Sequence, residues 1–180
     1  MGLFKSGFLD EVYYEYSERH QFVEMLLLAF LGFLIPFVFG HPQLLVGALV
    51  NAFLIRSALS LKSFKAIPII FTPTLGVLAR GILFGPFTVF IVYMMPFIWV
   101  GNYIIVQAFK VKLKHRLNYG LTLLAGSLLK AGFLYTTAFV FYSLGFIPQV
   151  FLTAMGVMQF TTAILGGVLV YLLLRIGRVL

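Results

Sequence analysis

Hydrophobic positions in this chain gather in long, nearly unbroken runs separated by short polar breaks. Six runs stand out, at about 21–40, 43–60, 66–84, 86–109, 119–146 and 148–174. A helix needs about 20 apolar residues to cross the hydrocarbon core of a bilayer, and the runs are of that length. The pattern predicts an all-α polytopic membrane protein with six transmembrane helices. Ahead of them, residues 1–20 are more polar, with Leu3, Phe4, Phe8, Leu9, Val12 and Tyr16 near helical spacing. That spacing suits an amphipathic N-terminal helix lying in the membrane interface. The domain reading is therefore a 1–20 amphipathic segment followed by a 21–180 six-helix transmembrane domain.

The breaks are of two kinds. Gly40-His41-Pro42, Gly85-Pro86 and Gly145-Phe146-Ile147-Pro148 are tight corners without Lys or Arg. Proline in the first turn of the next helix lacks only an amide that would have had no partner, so these read as hairpin turns. The other connections carry Lys62 and Lys65, then Lys110, Lys112, Lys114 and Arg116, and Arg175 and Arg178 follow the last run. All basic connections then fall on one side, and the positive-inside rule predicts cytoplasmic N- and C-termini. Pro36, Pro68, Pro73 and Pro96 lie within runs and predict kinks, most of all in the third.

Composition sharpens the picture. Of 180 residues, 62% are hydrophobic and 10% charged, where a soluble domain carries about a quarter charged. A net charge of +8 could suggest nucleic acid, but the basic residues mark topology and form no folded basic face, so no nucleic-acid partner is expected. All five acids, Asp10, Glu11, Glu15, Glu18 and Glu24, precede Met25. Without cysteine, and with His20, His41 and His115 far apart, neither a metal site nor a cofactor is expected. No carboxylate pair in the spans and no nucleophile with an oriented base argue against catalysis, so the chain reads as a non-enzyme.

Ionisable groups within spans are costly and point to function. Arg56 is close enough to the cytoplasmic end of the second run to snorkel. Arg80 lies five residues before the corner at Gly85. Lys130 falls near the middle of the fifth run among Ala125-Gly126-Ser127 and Ala131-Gly132, small residues that favour a helix-packing face. Neither Arg80 nor Lys130 has a carboxylate at its expected depth. Either Lys130 is neutral, or carbonyls solvate both cations, or an external anion completes the site. Asn51 and Gln159 are expected at a depth comparable to Lys130, and Asn102 and Gln107 in the cytoplasmic half of the fourth run. Small-xxx-small spacing at Ala48/Ala52, Gly81/Gly85 and Ala163/Gly167 permits close helix approach, within the bundle or against a partner.

Three stretches, Pro42-Gln43-Leu44-Leu45-Val46-Gly47-Ala48-Leu49-Val50-Asn51, Gly81-Ile82-Leu83-Phe84-Gly85-Pro86 and Gln159-Phe160-Thr161-Thr162-Ala163-Ile164-Leu165-Gly166-Gly167, sit in a layout that resembles the substrate-binding S component of energy-coupling factor transporters. The resemblance covers about residues 20–175. It implies a small six-helix protein of a prokaryotic plasma membrane, partnered by a transmembrane coupling subunit and ATPase subunits. It further implies a small-molecule ligand near the outer half of the bundle. The family's coupling surface uses AxxxA on the first helix; here the first run offers Ala29 and Gly32, and Ala48/Ala52 falls on the second.

The resulting expectation is a membrane-embedded solute-binding or uptake subunit, non-catalytic itself, that captures a small polar or anionic molecule. Arg80, Lys130, Asn51 and Gln159 would bind the ligand, aromatic side chains would line the cavity, and Ala48, Ala52, Ala29 and Gly32 would contact a partner. The competing expectation is a structural, non-catalytic membrane subunit of a larger complex, its polar residues serving helix packing.

Overall fold

A computed structural model describes residues 17–81 and 85–176, which form a helical bundle. The expected interfacial helix at 1–20 lies almost wholly outside the described residues, as does Arg178. Seven α-helices follow in order: α1 (Glu18–Val38), α2 (Gln43–Ser60), α3 (Ile67–Arg80), α4 (Ile91–His115), α5 (Tyr119–Ser143), α6 (Val150–Met155) and α7 (Val157–Ile176). Short 3-10 turns at Ser63–Ala66 and Gly85–Phe90 lead into α3 and α4. Five helical stretches are long and apolar enough to cross a membrane: α1, α2, Thr88–His115, α5 and Val150–Ile176.

The third expected run, 66–84, is the exception. α3 spans 14 residues, Ile67–Arg80, and stops at Gly81, whose φ of +71° is left-handed. Glycine takes that conformation without a Cβ penalty and ends helices for that reason. Helical rise makes α3 about 21 Å long, short of a bilayer's hydrocarbon thickness. The last run is also interrupted, because Gly156 (φ −97°, ψ −99°) separates α6 from α7. Non-helical backbone at membrane depth persists where protein or a polar cavity satisfies it.

Local chemistry sets several helix ends. Ser17 accepts a hydrogen bond from the His20 amide (3.3 Å), and Asn118 Oδ1 accepts one from the Leu121 amide (3.2 Å), capping α1 and α5. α4 continues through Lys110, Lys112, Lys114 and His115, which sequence reading places in a loop. Cations complement the negative end of a helix, and long lysine stems can lie along apolar surface, so nothing stops the helix at Phe109.

The helices pair as α1 with α3, α2 with α7, and α4 with α5. The α2–α7 seam is close. A Cβ added to Gly166 would stand 2.6 Å from the Ala48 carbonyl oxygen and 2.7 Å from the Ala52 amide nitrogen, so only glycine fits there. The α1–α3 pair closes similarly, with Gly32 against Thr72 and Pro73, and Gly76 against the Phe33 backbone.

Charge separates along the bundle. Glu18 bonds Lys62 and Lys65, the Lys110 ammonium donates to the Leu61 carbonyl, and Arg175 lies 5.2 Å from the Tyr171 ring, which packs on Tyr119. Glu24 receives Arg56 Nε at 2.7 Å and the Ser60 hydroxyl at 2.8 Å. Arg56 is thus held by an ion pair inside the protein, where sequence reading had it snorkelling to headgroups. The opposite end carries Arg80, whose guanidinium donates to the carbonyls of Phe37 (2.8 Å) and Val38.

Two apolar clusters fill the interior. One, with Leu54, Ile55, Ile69, Ile105 and Phe109, occupies the basic end. The other, with Val77, Ile91, Met94, Leu134 and Phe151, occupies the opposite half. Lys130 and the amides fall between them.

Candidate functional site

Lys130 is 1% exposed, while Leu128 and Leu129 beside it on α5 are 54% and 62% exposed. Successive helical positions about 100° apart put those leucines on the outside and the lysine inside. Ser127 and Ala131, also buried, let neighbouring helices approach the lysine stem.

The ammonium donates to Asn51 Oδ1 on α2 at 2.6 Å and to Asn102 Oδ1 on α4 at 2.9 Å. Because both amide oxygens face the cation, both amide nitrogens face away. Asn51 Nδ2 donates to the Gly47 carbonyl (2.9 Å) and to Thr162 Oγ1 on α7 (3.2 Å). Asn102 Nδ2 donates to the Ile70 carbonyl on α3 at 3.0 Å. The Thr162 hydroxyl in turn donates to the Met158 carbonyl at 2.8 Å. One lysine therefore ties α2, α3, α4, α5 and α7 into a single polar layer, two amides deep.

That layer floors a cavity of about 100 Å³, counted as the space open to the centres of water molecules, which is room for several waters or a small solute. Gln43, Thr74 and Gln159 add polar groups to its wall, and Val46, Val50, Val77, Ile98, Met155 and Met158 add apolar ones. Gln43 is the first residue of α2, Ile91 the first of α4, and Pro36 near the last of α1, so the cavity runs from mid-bundle toward the end away from the basic connections. The break at Gly156 lies beside it, between the lining residues Met155 and Met158.

No carboxylate and no aromatic ring lines this cavity among the described residues. Glu18 and Glu24 are engaged at the basic end. The many aromatic side chains instead pack on one another, as in the Phe97–Phe141 and Phe109–Tyr119 pairs, or face outward, as Phe22 and Phe30 do.

No family model, curated protein or solved structure matches the chain. Its chemistry must therefore be read from the site itself.

Of the four ligand residues expected from sequence, Lys130, Asn51 and Gln159 line one cavity. Arg80 is not among the lining residues; it caps the C-terminal carbonyls of α1, where a cation complements the helix dipole, and lies over Gly40. Ala48 and Ala52 are buried in the α2–α7 seam and Gly32 in the α1–α3 seam, while Ala29 packs on the core. The bundle uses these small residues for its own packing. Thr162 and Thr74 are lining residues that sequence reasoning missed, and Asn102, which it set in the cytoplasmic half of the fourth run, stands at the floor. No group of His, Asp or Glu able to hold a metal occurs among the described residues.

Chemically, the arrangement holds the Lys130 amino group between two neutral amide oxygens in a largely apolar surrounding. Moving an ammonium out of water costs several kcal/mol, and two amide dipoles recover only part of it. A negative group entering the cavity would recover more.

Proposed function

We propose that this protein is a membrane-embedded, non-catalytic solute-binding subunit that captures a small polar or anionic molecule in the Lys130 cavity. The observation that carries this reading is the buried Lys130 amino group at the floor of a cavity whose described lining residues include no carboxylate. Pockets of this kind, mostly apolar with a few convergent polar groups, are typical of small-molecule sites.

The topology completes the proposal. Reading the basic end as cytoplasmic puts both termini inside and gives the cavity an outward mouth. α3, short but paired with α1, is read as the sixth crossing element, completed by the corner after it. This agrees with the S-component resemblance, under which a transmembrane coupling subunit and ATPases in a prokaryotic plasma membrane would supply the energy for uptake.

The test is to purify wild type, Lys130→Met and Arg80→Gln proteins, denature them, and identify released small molecules by mass spectrometry. Wild type and Arg80→Gln should release the same compound and Lys130→Met none. Equal recovery from all three, or recovery from none, would refute capture at Lys130 and favour a structural subunit.

A further inference from the structure

The hydrogen-bond inventory at the cavity floor is unbalanced, and the imbalance narrows the ligand. An ammonium has three donors and an amide two. Lys130 uses two of its three on Asn51 and Asn102, and Asn102 uses one of two on the Ile70 carbonyl. At the floor itself the acceptors each hold a donor: both asparagine oxygens take Lys130, and Thr162 Oγ1 takes Asn51, while Gln43, Thr74 and Gln159 stand on the wall. The floor therefore keeps donors that an entering acceptor can use.

We infer that the ligand is a small monocarboxylate with an apolar body, its carboxylate taken by Lys130 and Asn102. This rests on the capture reading above and specifies its substrate class. A single cation balances a single negative charge, whereas a phosphate dianion would bring a second charge that no lining residue neutralises. A solute bearing an ammonium would meet Lys130 as a like charge and find the deep acceptors occupied. Beyond the floor the wall turns apolar, through Val46, Val50, Val77, Ile98 and Met158, all aliphatic or thioether side chains. A saturated body suits such a wall.

The experiment is calorimetric titration of the full chain in nanodiscs of zwitterionic lipid. The probes are butanoate, hexanoate and octanoate, with hexanamide, hexylamine and inorganic phosphate for comparison. At least one monocarboxylate should bind saturably, and the amide, amine and phosphate at least tenfold more weakly. Losing a charge-assisted contact in Lys130→Met should weaken the carboxylate by about 10- to 100-fold. Asn102→Asp, which places a carboxylate beside Lys130 from within, should abolish binding while keeping the cation, and covers the case in which Lys130→Met does not fold. Lys130-dependent binding of phosphate or hexylamine in preference to the carboxylates would overturn the substrate class and leave capture standing. Failure of every carboxylate also overturns the class, and if extraction of the purified protein yields no small molecule either, capture falls with it.

Discussion

Replacing Asn102 by leucine isolates the contact on which the polar layer depends. The side chain is 2% exposed, accepts from Lys130 at 2.9 Å and donates to the Ile70 carbonyl at 3.0 Å. Leucine is close in volume, so the change removes polarity with little change in packing. A hydrogen bond to a charged group contributes about 1.5–3 kcal/mol net, and a buried charge deprived of a partner costs more than the bond itself. Asn51 remains as a second acceptor, so a loss of about 2–3 kcal/mol is expected. In a Lys130→Met background the same substitution removes an amide with no ammonium to serve, and its cost should shrink. The difference is the coupling energy, expected at about 1.5–3 kcal/mol. Equilibrium unfolding in mixed micelles by dodecyl sulfate titration, on all four proteins of the cycle, measures it. A coupling below about 0.5 kcal/mol would refute the claim that Asn102 holds the Lys130 charge.

Four further outcomes follow from the same structure. Asn102→Asp should be no less stable than wild type without ligand, since it supplies the missing counterion; marked destabilisation in the same titration would count against a charged Lys130. Gly166→Ala should lose about 1–3 kcal/mol or fail to fold, because its Cβ would stand 2.6 Å from the Ala48 carbonyl oxygen, whereas Gly132→Ala, with nothing within 4 Å, should be neutral or slightly stabilising. Glu24→Gln should cost about 1–2 kcal/mol, since it breaks the 2.7 Å pair with Arg56; an unchanged unfolding midpoint would contradict that. Single cysteines at the exposed positions His41 and His115 should react with impermeant thiol reagents from opposite faces of sealed vesicles, without background from a chain that has no cysteine; labelling from one face would overturn the topology.

Much of the fold was legible because hydrophobic runs and glycine–proline corners report directly on membrane crossing. The run at 43–60 coincides with α2 (Gln43–Ser60), and Tyr119 opens both the fifth run and α5. Where sequence and structure part, the cause is local. Hydropathy counts apolar residues and ignores backbone conformation, so it carried the third run past Gly81 and the sixth through Gly156. Ending the fourth run at Phe109, before the lysines, set Asn102 too close to the cytoplasmic edge. With α4 reaching His115, Asn102 sits near the middle of its helix, level with Lys130. Lys130 was legible as a lone mid-span cation among small residues. Its two partners come from α2 and α4, and no spacing along the chain encodes which amides meet it. Arg80 shows the reverse failure, since a cation near a helix end serves carbonyls as readily as ligands.

An experimental density map of the protein, taken gently from its own membrane, tests the central claim most directly. The account predicts non-protein density in the cavity, with an atom within hydrogen-bonding distance of Lys130 Nζ and Asn102 Nδ2. A cavity holding water alone, or a Lys130 side chain turned toward the lipid, would contradict it.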